Sequence, residues 1–342
     1  MTVRVGYRWP IRPMAFIQPP PVMRSWNRSR RRPSPAPFAD TTQRLLPLII
    51  LYDSTGRFYI AGTLSESDMP QPFITLIDGS KIPQIGLGTY QAAADRTAKM
   101  VETALGIGYR HIDTAMIYRN EAGVGDGLRA SGVPREDVYI TTKLWNTDQG
   151  GEAARTAFNT SLDLLKLDYV DLYLIHWPVP ARDLYVESWE TLIQLRDEGL
   201  ARAIGVSNFM PDQIDRLIET TGVVPAVNQI ECHPAFQQLS ARAENARRKV
   251  AVQSWSPLGQ GELLGNTVLR TLAEKHDRTV AQIILRWHVQ NDLIVIPKTV
   301  NEDRMRENLD ILAFTLDTDD LAKIATLDDP EGRMGPDPLT FE

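Results

Sequence analysis

The chain has 342 residues and a single cysteine, Cys232, which excludes an intrachain disulfide and a cysteine-rich metal site. Its formal charge of −6 gives no global basic field for nucleic acid, and no apolar run reaches the roughly 18 residues that a membrane span needs. One barrel domain of about 250 residues or two smaller domains would fit this length. We expect a cytoplasmic protein that binds neither nucleic acid nor membrane, since one cysteine fits a reducing compartment.

Residues 1–68 differ in composition from the rest of the chain. They contain ten arginines, no lysine and four acidic residues, a net charge of +6, and include the Pro/Arg-rich run RSWNRSRRRPSPAP. Such a run lacks the apolar periodicity of a packed core. We interpret residues 1–68 as a disordered extension with no catalytic role and residues 69–342 as the domain. The alternatives are a targeting segment, or a basic arm for nucleic acid or an anionic membrane.

The predicted elements begin with a hairpin and continue with eight repeated units. FITLIDGSKIPQIG (73–86) has two apolar arms around Asp78-Gly79, which predicts a β-hairpin. Eight strand-like runs follow, each succeeded by a helical pattern: IGLGT, HIDTA, DVYITTKLW, VDLYLIHWP, ARAIGVSNF, AVNQIEC, VAVQSWSPLG and LIVIPKT. These favour a (β/α)₈ barrel whose bottom is plugged by the hairpin. A doubly wound sheet is the alternative, but it does not explain eight regular units.

Polar side chains recur where the predicted strands end, which is where barrel enzymes place their chemistry. Tyr118 lies in the loop after the second strand. The residues at the strand ends themselves are Asp113, Lys143, His176, Ser207, Asn208, Gln229, Trp255, Ser256, Lys298 and Thr299. We expect this set to gather at one rim of the barrel.

Three members of this set could make Tyr118 a proton donor. A phenol has a pKa near 10 and is a poor acid at neutral pH. We expect a lysine ammonium, that of Lys143, to lower this pKa, with Asp113 pairing with Lys143 and holding it in place. His176 could orient a carbonyl oxygen by donating a hydrogen bond.

Seven motifs occur in order along the chain: DTAMIY, TTKLW, LIHWP, GVSNF, NQIECHP, SWSPLG and IPKTVNEDRMREN. From about Phe73 to the end, the chain resembles the aldo-keto reductases, and within them it is most similar to the bacterial 2,5-diketo-D-gluconate reductase-like group. The resemblance implies a barrel that binds extended NADPH and transfers hydride to an aldehyde or ketone. It implies general-acid catalysis by Tyr118, supported by Asp113, Lys143 and His176. It also implies a monomer.

The same resemblance assigns a cofactor site. Ser207, Asn208 and Gln229 would bind the carboxamide, and Trp255 would stack on the nicotinamide. Lys298, Thr299 and Arg304 would hold the 2′-phosphate; independently of the family, such groups at a helix start suit a phosphate. The remaining cofactor positions are Ser256, Leu258 and Gly259 along the pyrophosphate, Glu307 and Asn308 near the adenine, and Ile296 and Val300 beside Lys298.

Two glycine-rich stretches, GLGTYQ (86–91) and GVGDGLRA (123–130), do not complete a dinucleotide-binding fingerprint, since the third glycine is missing from both. We expect Gly88 and Thr89 instead to let the backbone approach the cofactor. Three aromatic residues beside the rim motifs, Tyr90, Trp145 and Trp177, would wall the substrate pocket together with His176. No pair of histidines or carboxylates has metal-ligand spacing, and we interpret His233 as structural.

An NADPH-dependent carbonyl reductase is thus the predicted function, with dicarbonyls or keto sugars such as 2,5-diketogluconate among the possible substrates. The alternative is a non-catalytic NADPH-binding redox sensor or regulatory subunit on the same barrel. NADPH oxidation with a reactive aldehyde such as methylglyoxal separates the two.

Overall fold

The computed structural model describes residues 50–52, 58–60 and 71–342. The chain divides into two units, residues 1–63 and 64–342. In the first unit, strand β1 (Ile50–Tyr52) pairs antiparallel with β2 (Phe58–Ile60). Apart from these two short strands, the predicted disordered extension lies outside the described residues.

The second unit is built on a closed parallel sheet of eight strands, which confirms the predicted (β/α)₈ barrel. Each strand pairs with its neighbours in chain order. The strands are β5 (Leu87–Gly88), β6 (His111–Asp113), β7 (Tyr139–Leu144), β8 (Val170–Ile175), β9 (Ala201–Ser207), β10 (Val227–Glu231), β11 (Ala251–Trp255) and β12 (Ile294–Val295). Closure comes from a parallel bridge between Ile85 and Val295, and the Gly86 amide donates to the Val295 carbonyl at 2.8 Å.

Helices alternate with these strands and cover the outside of the barrel. They are α1 (Ala94–Ile107), α2 (Glu121–Ser131), α3 (Gly151–Leu165), α4 (Tyr185–Asp197), α5 (Pro211–Thr221), α6 (Leu239–Arg247), α7 (Thr267–His276), α8 (Val280–Gln290), α9 (Glu302–Leu309) and α10 (Thr318–Ala325). Two helices, α7 and α8, lie between β11 and β12. The last helix, α10, follows the barrel and was not predicted.

Alternate residues of one strand show why the strand sequences are apolar on both faces. Every residue of β8 is buried. Leu172 and Leu174 belong to the cluster inside the barrel, whereas Tyr173 and Ile175 belong to the cluster shared with the helices. A parallel barrel strand has no solvent face, so it cannot alternate apolar with polar residues as an exposed sheet does.

The predicted N-terminal hairpin is present and packs into the interior cluster. Strand β3 (Phe73–Thr75) pairs antiparallel with β4 (Lys81–Pro83), and the turn between them contains Gly79 at φ +84°. Leu76 and Ile82 of the hairpin are buried in the same cluster as Leu172 and Val227. The hairpin therefore fills the end of the barrel at which the strands begin.

Candidate active site

The ends of β6 and β7 bring an aspartate and a lysine into a buried ion pair. Lys143 is fully buried, and its Nζ donates to Asp113 Oδ1 at 2.5 Å and to the Thr114 carbonyl at 2.8 Å. Asp113 Oδ2 accepts from Gln229 Nε2 at 2.8 Å. Burial lowers the pKa of Lys143, and the Asp113 carboxylate opposes that shift. The predicted pairing of Asp113 with Lys143 is thus present.

Tyr118 reaches the same rim from a 3₁₀ turn, Met116–Tyr118, that is closed by Arg119 in the left-handed region at φ 55°. Lys143 Nζ lies 5.1 Å from the centroid of the Tyr118 ring. Although the Tyr118 side chain is partly accessible, the surrounding protein desolvates its phenol, and burial together with the Asp113 charge raises its pKa well above the ordinary value.

This result corrects one prediction. We expected the pKa of Tyr118 to lie below its ordinary value because of Lys143, but desolvation and the Asp113 charge raise the net pKa above it. The reason is geometric: Lys143 directs hydrogen bonds at Asp113 and Thr114, so the phenol receives the desolvation without a direct bond from the cation. The phenol is held in its protonated form.

His176 follows β8 directly and stands next to Tyr118, with ring centroids 5.7 Å apart in an edge-on arrangement. Burial and the Lys143 charge hold the pKa of His176 well below its usual value, so the imidazole is neutral. Its Nδ1 is buried without a hydrogen-bond partner among the described residues. A neutral imidazole can donate one hydrogen bond without carrying charge.

Two buried polar residues belong to this site but were missed from the sequence. Gln253 Nε2 lies 3.3 Å from Asp113 Oδ2, and its register opposite Gln229 on the neighbouring strand is the signal that could have found it. Glu121, at the start of α2, accepts from the Thr142 hydroxyl at 2.5 Å and from Ser161 at 3.2 Å. Burial raises the pKa of Glu121.

Aromatic rings line the mouth of the site. Tyr90 is half exposed, and its ring centroid lies 5.1 Å from that of Tyr118. The Trp145 ring stands edge-on to His176 at 5.2 Å, and the Trp177 ring lies 6.5 Å from His176. The three predicted wall residues are therefore together at this rim. Phe341, near the end of the chain, packs 4.5 Å from Trp177 and was not predicted from its patternless tail.

The residues predicted to hold the nicotinamide end form one hydrogen-bonded group. Asn208 Nδ2 donates to the His176 carbonyl at 3.0 Å, and Asn208 Oδ1 accepts from Trp255 Nε1 at 2.8 Å. Ser207 Oγ donates to the Gln229 carbonyl at 2.8 Å. This network fixes the orientation of the Trp255 indole, whose ring centroid lies 6.5 Å from that of Trp177. The amide of Asn208 is already engaged within the protein.

The predicted phosphate-binding residues lie at the start of α9. Asn301 caps this helix by accepting from the Arg304 amide at 2.9 Å. The side chains of Lys298 and Arg304 are exposed, and neither forms an ion pair with a carboxylate in residues 71–342. Two uncompensated cations beside a helix N-terminus fit the dianionic 2′-phosphate of NADPH.

The other predicted cofactor positions are distributed around this rim. Thr299 is buried at the α9 entry, where its hydroxyl accepts from the Asn301 amide, and Val300 beside it is half exposed. Ser256 and Gly259 both have left-handed backbones, and the Gly259 amide closes that turn onto the Ser256 carbonyl at 2.9 Å. Leu258 is partly buried, Ile296 and Asn308 are buried, and the Glu307 carboxylate accepts from the Thr279 hydroxyl.

Gly88 has a packing role that the sequence did not reveal. A Cβ on this residue would lie 2.9 Å from the Ile296 carbonyl oxygen, and the Gly88 amide donates to the Pro297 carbonyl at 3.1 Å. Glycine is therefore required where β5 closes onto the β12 segment. Thr89, next to it, is fully buried. The approach of these two residues to a cofactor remains a prediction.

Residues 71–342 and the two short strands contain no group of three or more His, Cys, Asp or Glu side chains that could hold a metal. Within the same residues, every helix is too short or too polar to span a membrane.

His233 is fully buried, and its Nε2 lies 3.2 Å from Glu231 Oε1.

Several known proteins are similar to this chain over most of its length. Methylglyoxal reductase DkgA of Escherichia coli (strain K12) is 50% identical over 270 residues, covering 78% of this chain and 97% of that protein. The crystal structure of an aldo/keto reductase from Brucella melitensis is 50% identical with a TM-score of 0.74, covering 76% of this chain and 100% of that one. A mutant of Gox0644 in complex with NADPH is 46% identical with a TM-score of 0.78, covering 80% of this chain and 100% of that one.

The family model described as the aldo/keto reductase family matches residues 84–329, which contain all four predicted catalytic residues. The match spans the barrel from just before β5 to just past α10. The ordered motifs predicted this family and its reaction class. The chain belongs to the aldo/keto reductase family of oxidoreductases.

Proposed function

We propose that this protein reduces aldehydes and ketones to alcohols with NADPH as its cofactor and with Tyr118 as the general acid. The observation that carries the proposal is the buried ion pair of Lys143 and Asp113, which lies beside Tyr118 and His176 at a single rim. Burying two charges costs desolvation free energy that is recovered only when hydrogen bonds hold both groups in place. This pair lies beside the phenol that would supply the proton.

The proton step follows from the state of the phenol. When bound, NADPH supplies a hydride to the carbonyl carbon. Tyr118 holds its proton until negative charge develops on the carbonyl oxygen, since a phenol is protonated at neutral pH. Its O–H bond then breaks, the proton joins that oxygen, and a phenolate remains. The Lys143 ammonium, at 5.1 Å from the ring centroid, stabilises that phenolate electrostatically in the desolvated site.

Asp113 and His176 keep the reacting groups in position. Asp113 fixes the lysine through the 2.5 Å bond and is itself held by Gln229. His176, kept neutral by burial, donates a hydrogen bond to the carbonyl oxygen and directs it toward Tyr118. A charged imidazole beside Lys143 would repel it, so the neutral form suits the site.

The cofactor would be held by the groups around β9–β12. Trp255 would stack on the nicotinamide while Ser207, Asn208 and Gln229 surround its carboxamide. Lys298, Thr299 and Arg304 would hold the 2′-phosphate. These assignments rest on the indole fixed by Asn208 and on two exposed cations at the α9 start that form no ion pair within residues 71–342.

The substrates we propose are small reactive dicarbonyls and keto sugars. A relative at 50% identity is named methylglyoxal reductase, and Tyr90 beside Tyr118 is half exposed to solvent. The test is NADPH oxidation by the purified full chain with methylglyoxal and with 2,5-diketogluconate. Turnover that requires both NADPH and a carbonyl compound is expected. NADPH binding without turnover of any aldehyde would instead favour the redox-sensor alternative.

A further inference from the structure

Glu121 is a buried carboxyl group close to the proton donor, and the proposed reaction does not use it. It is the first residue of α2 and follows shortly after Tyr118, which ends the preceding 3₁₀ turn. Its side chain is enclosed by protein, and burial raises its pKa. Burying a carboxyl group costs free energy unless hydrogen-bond donors satisfy it, so the partners of Glu121 indicate its role.

The two oxygens of Glu121 accept hydrogen bonds from two different elements, a barrel strand and a helix. Oε1 accepts from the Thr142 hydroxyl of β7 at 2.5 Å, and Oε2 accepts from the Ser161 hydroxyl of α3 at 3.2 Å. Thr142 immediately precedes Lys143, and successive strand residues point to opposite faces of a sheet. The shorter bond therefore ties the start of α2 to the strand that carries Lys143.

The packing of α2 against α3 does not depend on this bond. A Cβ on Gly125 of α2 would clash with the Leu165 carbonyl oxygen of α3, so backbone packs directly on backbone where the two helices meet. Val124 and Leu128 of α2 are buried in the core shared with the helices. What the Thr142 bond adds to this packing is a fixed position of the helix start relative to β7.

The residue before Glu121 holds the same turn from the other side. Asn120 Nδ2 donates to the Thr89 carbonyl at 2.9 Å, and Asn120 Oδ1 accepts from the Thr114 hydroxyl at 3.0 Å. These bonds tie the turn to the segments that follow β5 and β6. Asn120 and Glu121 together therefore attach the turn that carries Tyr118 to three successive strands.

We propose that Glu121 is a positioning residue that, through Thr142, sets the distance between the Tyr118 phenol and the Lys143 ammonium. The inference deepens the proposed function and rests on it. Lys143 directs its hydrogen bonds at other groups, and its Nζ lies 5.1 Å from the Tyr118 ring centroid. That separation depends on how the turn and β7 are held together. A turn that shifts away from β7 would leave the developing phenolate with less electrostatic stabilisation.

The test removes one donor at a time from the same carboxyl group. Thr142→Val deletes the hydroxyl on β7 with little change in shape, and Thr142→Ser restores a hydroxyl at that position. Ser161→Ala is the matched control, because it deletes the other donor and leaves β7 unchanged. Single-turnover reduction of methylglyoxal, NADPH titration and amide hydrogen exchange of residues 115–121 are measured on the full chain.

We expect Thr142→Val to slow the single-turnover step about tenfold or more, since a misplacement of about 1 Å can cost about a hundredfold in rate. NADPH affinity should not change, because the proposed cofactor groups lie around β9–β12. The Tyr118 amide donates to the Ala115 carbonyl at 3.0 Å, and its hydrogen exchange should become faster. Thr142→Ser and Ser161→Ala should keep the wild-type rate and exchange.

A wild-type rate or unchanged exchange of the turn in Thr142→Val would overturn the positioning role. Equal slowing in Thr142→Val and Ser161→Ala would also overturn it, since the loss would then follow any weakening of the buried carboxyl group. If Thr142→Val does not fold, Glu121→Asp decides the question: its shorter reach to β7 should slow reduction in the same way, and a wild-type rate contradicts the proposal. If the wild type does not reduce methylglyoxal, the proposed function fails, while hydrogen exchange still reports separately on the turn.

Discussion

Strand β6 carries His111 at its start and Asp113 at its end, and the polar groups of these two buried side chains are satisfied in different ways. His111 Nδ1 lies 3.2 Å from the Pro83 carbonyl and its Nε2 lies 3.3 Å from the Thr141 hydroxyl, so the neutral ring has both partners it needs. Asp113 instead faces the Lys143 cation and two glutamine amides. The start of this strand thus carries a buried neutral side chain, and its end carries a buried charge pair beside the rim.

This difference separates stability from chemistry. Barrels place catalysis where strands end, and the opposite face stabilises the fold. The hairpin and His111 close the lower end, with Gly86 packed so tightly that a Cβ there would lie 2.7 Å from His111 Nδ1. Substitutions at the upper end should therefore reduce turnover, whereas substitutions at the lower end should affect unfolding alone.

The largest effect should follow the loss of the charge at the upper end. Lys143→Met removes the cation that would stabilise the phenolate and leaves Asp113 buried without its ion-pair partner. We expect kcat to fall at least about a hundredfold and the free energy of unfolding to fall by about 3–5 kcal/mol. Steady-state kinetics and urea unfolding measure the two losses.

The matched control is Lys99→Met on α1, an exposed lysine paired with Glu102 at 3.1 Å. It should change neither quantity appreciably. A Lys143→Met enzyme with full activity would show that the cation does not assist the proton donor.

The next effect concerns cofactor choice at the α9 start. Arg304→Ala should weaken NADPH binding about ten- to a hundredfold and leave NADH almost unchanged, because charge-assisted bonds to phosphate contribute about 1.5–3 kcal/mol. Fluorescence titration gives both dissociation constants. Arg306→Ala is the control, since Arg306 is exposed on the same helix and pairs with Glu302 at 2.7 Å. Equal losses for the two cofactors would remove Arg304 from 2′-phosphate recognition.

The smallest effect is a pH dependence from the lower end. Burial lowers the pKa of His111 to about 4, whereas an unfolded histidine titrates near 6.5. Between pH 4 and pH 6.5 the unfolded chain binds a proton at His111 that the folded chain does not bind. The stability that the neutral His111 contributes is therefore fully present above pH 6.5 and is lost as the pH falls toward 4. The contribution is at most about 1.4 kcal/mol per pH unit. His111→Asn should reduce the slope of unfolding free energy against pH, and an unchanged slope would contradict the assignment.

The sequence was sufficient to predict the barrel and the residue types at its rim. Eight strand runs and the polar residue that ends each of them are local patterns, so Asp113, Lys143, Tyr118 and His176 could be predicted together. The direction of the Tyr118 pKa could not, because it depends on how much protein surrounds the phenol and on where Lys143 points. Those quantities exist only after folding.

Contacts between segments that are distant in the chain also could not be predicted from the sequence. The Glu231 carboxylate accepts hydrogen bonds from the Met334 and Gly335 amides, more than a hundred residues later in the chain. No periodic pattern in that segment predicts this contact. Asn208 was expected to bind a cofactor, and its engagement with both His176 and Trp255 depends on three strand ends meeting. Barrel closure likewise explains Gly88 better than any glycine motif.

The central claim is that Tyr118 gives its proton to the substrate at the upper rim. Tyr118→Phe keeps the ring and removes only the hydroxyl, and Tyr169→Phe provides a control, since that ring packs between Arg135 and Arg202 away from the rim. Single-turnover reduction of methylglyoxal and NADPH titration are measured on both variants. We expect Tyr118→Phe to bind NADPH as the wild type does and to reduce the aldehyde at least about a hundredfold more slowly, with Tyr169→Phe unaffected. A Tyr118→Phe enzyme that turns over near the wild-type rate would contradict the claim.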